Sequence, residues 1–216
     1  MIRGSLSVQH SVDYALVVPE TQGPWPVLLA LHGFGQRAES FARLLEPLAG
    51  RGILVAVPQA PNQFYLNMKS GQVGFTWLTR YHRDRSMADL VNYLERFWEL
   101  VRTECQADEG RLFVLGFSQG VSIAYRLWLY GSLPLQGIFA CGSDLPPDVE
   151  ERLGSKPSIP VRLIHGNKDM LVPAGKPLHA LEALRGADFD VEFKEFEAAH
   201  ELTPEILDYV SRHIKP

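Results

Sequence analysis

The chain has 216 residues, of which 46% are hydrophobic and 21% charged, with 18 glycines and 15 prolines. That composition belongs to a globular α/β or mixed protein and excludes a disordered, collagen-like or coiled-coil chain. The 21 basic and 25 acidic residues leave a formal net charge of −4. Such a surface offers no positive field for phosphate backbones, so nucleic acid is not an expected partner.

The longest apolar runs, such as Val27 to Leu31 and Ile53 to Val57, fall far short of the roughly 20 residues of a membrane span. The two cysteines, Cys105 and Cys141, form no C-x-x-C pair, which argues against a disulfide framework, a zinc ribbon or a redox motif. Met1-Ile2-Arg3-Gly4-Ser5 carries no apolar signal region. Free thiols without an export signal make the cytoplasm the expected compartment. The length and the lack of a linker or repeat lead us to expect one domain over residues 1–216.

In chain order, Leu6 to Val18 reads as two short strands around a turn near Ser11–Asp13. Val27–Leu31 is a continuous apolar run, Ser40–Leu48 fits a short helix, and Ile53–Val57 is a second run. Pro58 to Arg85 is rich in Pro, Asn, Gly and aromatics without a clear period. A loop of that length in a compact domain usually serves function, here as a cover over a binding site. Ser86 opens a long amphipathic helix to about Thr103, with Asp89 completing an approximate capping box.

Leu112–Leu115 is the third run, and a helix follows from Ser118 to Tyr130. Ile138–Cys141 and Val161–Ile164 read as strands, and a helix runs from about Pro177 to Arg185. Asp190–Phe196 alternates as a more exposed strand, and Thr203 caps a last helix with Pro204 at its first position. Apolar runs buried on both faces and separated by helices predict an α/β fold, a mostly parallel central sheet with helices on both faces.

Gly116-Phe117-Ser118-Gln119-Gly120 stands between the run at Leu112–Leu115 and the helix after it. It matches G-x-S-x-G, the sharp strand-to-helix turn that exposes a nucleophilic serine at the sheet's carboxyl end. The pattern alone is loose; its place between strand and helix gives it weight. A nucleophilic serine needs a base, and the base needs an orienting carboxylate. His200 follows the strand ending near Phe196 and precedes Thr203, where catalytic groups gather in open α/β sheets. His165, His179 and His213 fall at a strand end or inside helices. Asp169 lies on the strand-to-helix loop before His200 and is the favoured acid; Asp144, after Cys141, is its rival.

The oxyanion formed on attack needs two backbone N–H donors. Gln119, after the nucleophile, and Phe34, in His32-Gly33-Phe34-Gly35-Gln36 after the first apolar run, fit those places. Gly33 to Ala38 also fits the dinucleotide pattern G-x-G-x-x-A. The following strand, however, ends Val57-Pro58-Gln59 without the acid that would hold a ribose. No cofactor is expected, and no metal-ligand spacing appears.

Leu31-His32-Gly33-Phe34-Gly35, the G-F-S-Q-G elbow, His165-Gly166-Asn167-Lys168-Asp169 with Val172-Pro173, and Ala199-His200 together resemble the phospholipase/carboxylesterase family. That family contains acyl-protein thioesterases and bacterial carboxylesterases within the α/β-hydrolase superfamily, and the resemblance runs from about Val27 to His213. It implies Ser118, Asp169 and His200 as a triad, with the Phe34 and Gln119 amides as oxyanion hole. It implies Trp77 near the acyl pocket, with Phe75, Met170 and Leu171 as further substrate-binding candidates. Three departures stand out. The aspartate that often follows the tryptophan is missing, Leu115 replaces a common glycine, and Asp144 stands where the family is usually uncharged.

Phe64, Tyr65, Leu66, Phe75, Trp77 and Leu78 fit an acyl groove and a sheet cover equally well, while Arg80, His82, Arg83 and Arg85 read as a solvated face. The expected activity is a serine carboxylesterase on a small-molecule ester or thioester. Lysophospholipase and acyl-protein thioesterase are the alternatives within enzymes, and a hydrolase-like ligand-binding protein the one outside. A homodimer is the assembly known from some family members. Dienelactone hydrolase is disfavoured, because its elbow nucleophile is a cysteine.

Overall fold

The computed structural model of the chain describes residues 1–2, 4–6 and 8–214. Its elements are β1 (Tyr14–Val17), β2 (Trp25–Leu31), α1 (Ala38–Ala49), β3 (Leu54–Pro58), β4 (Asn62–Asn67), β5 (Gln72–Thr76), α2 (Arg83–Glu104) and β6 (Ala107–Phe117). There follow α3 (Gln119–Tyr130), β7 (Leu135–Cys141), α4 (Pro147–Glu150), β8 (Val161–Gly166), α5 (Gly175–Gly186), β9 (Val191–Phe196) and α6 (Pro204–Ile214).

Seven strands form one sheet in the order β1-β3-β2-β6-β7-β8-β9, and β4 and β5 form a separate hairpin. All neighbours in the large sheet run parallel except β1, which is antiparallel to β3. Strands β2 and β3 are buried along their whole length, the result expected for apolar runs covered on both faces. Alternate residues divide between two cores. Val27, Leu29 and Leu31 pack with Leu94 and Val101 of α2, Ile123 of α3 and Leu184 of α5. Leu28 and Ala30 pack with Leu45 and Leu48 of α1 and Val210 of α6. Each of these valine, leucine and isoleucine side chains contributes about 1.5–3 kcal/mol by leaving water. At the sheet edge β9 is only half-buried, which accounts for its alternating sequence.

The chain leaves β2 toward β3 on one side, while β6 and the later strands extend from its other side. A crevice opens at the carboxyl ends of strands where the winding reverses like this. Here that reversal falls between the loop after β2 and the turn after β6. Among the described residues no helix is long and apolar enough to cross a membrane.

Three local expectations need correction. Among the described residues between Leu6 and Val18, only Tyr14–Val17 is a strand; Leu6 and Val8 are exposed, and Ser7 lies outside the described residues. The aperiodic stretch after Pro58 contains the β4–β5 hairpin. Its strands are mostly exposed, so burial imposes little alternation on them. The helix opens at Arg83 rather than Ser86, preceded by His82 at φ 46°, and no side chain caps it.

Candidate active site

Ser118 sits alone between β6 and α3 at φ 53°, ψ −117°, a conformation that costs a non-glycine residue on the order of 1–3 kcal/mol. Its N–H donates to the Cys141 carbonyl at 2.9 Å. The surrounding glycines are dictated by space. A Cβ at Gly116 would lie 2.5 Å from the Val121 backbone, and one at Gly120 only 2.0 Å from the Leu31 carbonyl oxygen. The turn is thus pressed onto the end of β2, with backbone on both sides. Gly120→Ala should therefore destabilise the protein by about 3 kcal/mol, since neither backbone can yield cheaply. Urea unfolding measures this, and an unchanged midpoint would show that the contact is not needed.

His200 and Asp169 meet at the ends of β9 and β8. The turn after β8 is tied to the loop after β9 by Asn167 N–H to the Phe196 carbonyl and Lys168 N–H to that of Ala198, each 2.9 Å. Across this junction His200 Nδ1–H donates to Asp169 Oδ2 at 2.7 Å. Asp169 Oδ1 accepts from the N–H groups of Leu171 at 2.8 Å and Val172 at 2.9 Å. Burial of this carboxyl, whose side chain is 1% exposed, pushes its pKa up. The bonds from His200, Val172 and Leu171 outweigh burial and hold it below the usual carboxylate range. The imidazole packs on the Phe117 ring, centroids 4.9 Å apart, and a Cβ on Gly142 would lie 3.2 Å from it. Ser118 is half-buried, and its hydroxyl makes no hydrogen bond among the described residues, to His200 or to any other group.

On the other side of Ser118 stands the loop after β2. A Cβ at Gly33 would lie 3.3 Å from Ser118 Cβ. Gly33 N–H donates to Gln36 Oε1 at 2.7 Å, and Gly35 N–H to the Phe75 carbonyl at 2.8 Å. The Phe34 N–H between them has no acceptor among the described residues. The Gln119 N–H, first in α3, has no intrahelical partner either. The structure thus leaves two backbone donors free beside one strained serine.

A family model for phospholipase/carboxylesterase matches residues 12–216. The chain belongs to that family. It is a hydrolase of esters or thioesters with the α/β-hydrolase fold. Acyl-protein thioesterase 1 of Gibberella zeae is 25% identical over 223 residues, spanning 93% of this chain and 94% of its own. In fold the chain is similar to acyl-protein thioesterase 2 of Zea mays, with a TM-score of 0.68 at 22% identity over 94% of this chain and 97% of that one. It is similar as well to the Bacillus cereus carboxylesterase, with a TM-score of 0.69 at 17% identity over 94% and 93% of the two chains.

Within this phospholipase/carboxylesterase frame, Trp77 lies beneath the loop after β2. It is fully buried, so it does not line an open groove; its Nε1–H donates to the His32 carbonyl at 2.7 Å and supports the loop after β2. Phe75 is half-buried beside it, whereas Met170 and Leu171 are 96% and 75% exposed on the loop after Asp169. Trp77, with Phe75 and Leu78 beside it, packs into the core on one face of the large sheet, whereas the β4 side chains lie over the loop after β2. Phe64 stacks on Phe34 with centroids 4.7 Å apart, and Leu66 lies against Gly35, forming an apolar wall on the loop after β2.

Asp144 does not reach His200. Its carboxylate takes Lys176 Nζ at 2.8 Å and the Leu145 N–H at 2.8 Å. His165 is buried with Nδ1 4.0 Å from Asp169 Oδ2, His179 lies between Asp144 and Glu150, and His213 bonds its own helix. The basic cluster is exposed, with Arg83 3.6 Å from Asp148.

One contributor went unread in the sequence. The Gln119 side chain accepts from Trp77 N–H at 3.1 Å and donates to Thr76 Oγ1 at 2.8 Å, fastening the helix start to the hairpin's end. A glutamine directly after the elbow serine was its only signal.

Proposed function

We propose that the protein is a serine carboxylesterase working through an acyl-enzyme on Ser118. The observation that carries this reading is the 2.7 Å bond from His200 to Asp169 beside the strained Ser118 turn. Asp169 keeps the proton on Nδ1, which leaves Nε2 free to take the serine proton. The serine oxygen attacks the carbonyl carbon, and the carbonyl oxygen becomes negative between the Phe34 and Gln119 N–H groups. The imidazolium then protonates the departing alcohol or thiol. Water, deprotonated by the same imidazole, releases the acid. Every step uses groups of this chain.

Phe34, Phe64 and Leu66 form the wall along which the acyl part lies, with Phe75, Met170 and Leu171 at its margins. The similarity to acyl-protein thioesterase 1 and this apolar wall favour a second reading, thioester or lysophospholipid cleavage with a long acyl chain.

The test is fluorophosphonate labelling of the folded protein followed by kcat/KM for p-nitrophenyl esters of two to sixteen carbons. One adduct on Ser118 and a maximum at short chains are the expected results. A rise through the long chains, at roughly fourfold per buried methylene, would transfer the assignment to the second reading. Absence of any adduct would leave a hydrolase-like binding protein.

A further inference from the structure

In a trans peptide unit the C=O and N–H point in opposite directions. The direction of the Phe34 N–H is therefore set by whatever holds the Gly33 carbonyl. Two donors do so: His32 Nδ1 at 2.8 Å and, less closely, Gln36 N–H at 3.3 Å. The imidazole of His32 has no solvent exposure. It lies between the rings of Trp77, 4.9 Å between centroids, and Phe41, 6.4 Å.

The far side of this ring decides its tautomer. Gln59 Oε1 is taken by the Ala38 N–H at 2.8 Å, so the Gln59 amide turns its NH2 toward His32 Nε2, at 2.7 Å. The Ala60 N–H donates to the same nitrogen at 3.0 Å. A nitrogen facing two donors must be an acceptor, so the ring proton sits on Nδ1, against the Gly33 carbonyl. Burial lowers the pKa of His32 to about 4, which keeps the ring neutral and Nε2 an acceptor at neutral pH. Trp77 and Gln119 extend the same support: Trp77 Nε1–H holds the His32 carbonyl, and the Gln119 side chain holds the Trp77 N–H.

On the basis of the function proposed above, we propose that His32 is a positioning residue for ester cleavage. Its Nδ1–H holds the Gly33–Phe34 peptide so that the Phe34 N–H faces the oxygen that becomes negative on attack. Without that donor only the longer Gln36 N–H bond holds the carbonyl, and the peptide turns over more readily to present its carbonyl oxygen instead, replacing an attraction by a repulsion. His32 touches no reacting atom. It acts through one peptide plane, and the two oxyanion donors share one network through Trp77.

Asparagine and glutamine test the two ring nitrogens separately, because the asparagine amide falls near Nδ1 and the glutamine amide near Nε2. Full-length His32→Asn, His32→Gln and His32→Ala are assayed for kcat and KM with p-nitrophenyl butyrate. The inhibition constant of a butyryl-length trifluoromethyl ketone, whose serine adduct carries an oxyanion, is measured on the same samples. His32→Gln and His32→Ala should lose roughly 10²–10³-fold in kcat, the usual effect of one oxyanion donor. KM should stay within about twofold, and ketone affinity should fall in step with kcat. His32→Asn, which keeps the donor, should stay within about tenfold of the parent.

Thermal melts of each variant accompany the assays. Losses that follow melting temperature rather than the Nδ1 donor, or His32→Asn as poor as His32→Gln, overturn the proposal. If His32→Ala fails to fold, the Asn/Gln pair carries the comparison. Ser118→Ala in the same assay separates the two levels. Turnover by Ser118→Ala removes the active-site assignment and this proposal with it. An inert Ser118→Ala beside a fully active His32→Gln removes the His32 role alone.

Discussion

Ser118→Ala is expected to lower kcat on the order of 10⁶-fold while leaving the melting temperature unchanged or slightly raised. Ser118 is half-buried and its hydroxyl bonds to no other group among the described residues, so its removal breaks no hydrogen bond. Alanine meets the same backbone cost at φ 53° as serine does, and the Gly116 and Gly120 contacts that impose the turn remain. Under the proposed mechanism the chemistry, by contrast, loses its nucleophile, and the Phe34 and Gln119 N–H groups alone sustain only a small residual rate over water. Steady-state kinetics with a short p-nitrophenyl ester and a thermal melt check both halves. Activity within tenfold of the parent would move the nucleophile elsewhere.

Asp169→Asn should cost about 10⁴-fold in kcat, whereas Asp144→Asn should change it less than about threefold. At position 169 the Oδ1 side keeps its bonds from Leu171 and Val172 N–H. The other side becomes an NH2 facing His200 Nδ1. Two donors then meet at 2.7 Å, and the imidazole relieves the clash by moving its proton to Nε2, the nitrogen that must accept from serine. The Asp144 carboxylate faces Lys176, whose side chain is 56% exposed, and an ion pair of that exposure contributes about 0–1 kcal/mol at most. The two variants assayed side by side decide the acid, and the reverse ranking would reinstate Asp144.

Much of this molecule was legible because local burial leaves a local trace. The runs at Val27–Leu31, Ile53–Val57 and Leu112–Leu115 reflect strands covered on both faces. Thr203 and Pro204 stand where α6 begins, and the Ile206 N–H points to Thr203 Oγ1 at 3.4 Å. The elbow around Ser118 was recognisable because a strained turn pressed on β2 admits glycine on both sides. His200 stood out because a loop between strand and helix leaves little structural use for a histidine.

Other features depend on residues far apart in the chain, and no local pattern carries them. Asp144 and Asp169 occupy equivalent loops after adjacent strands, and only the junction of the β8 and β9 loops brings the second to His200. Trp77 fits a groove and a sheet cover equally well in sequence, and the hairpin packs it under the loop after β2, where its N–H satisfies a buried carbonyl. His32 reads as one letter of a glycine-rich loop. Its tautomer follows from Gln59 and Ala60, 27 and 28 positions away. The sequence by itself thus determined the fold class and singled out Ser118 and His200 as the proposed nucleophile and base. The tertiary structure decided which aspartate bonds His200, where the hairpin aromatics pack and what holds the loop after β2, because hydrogen-bond partners are chosen by three-dimensional proximity rather than by period or spacing.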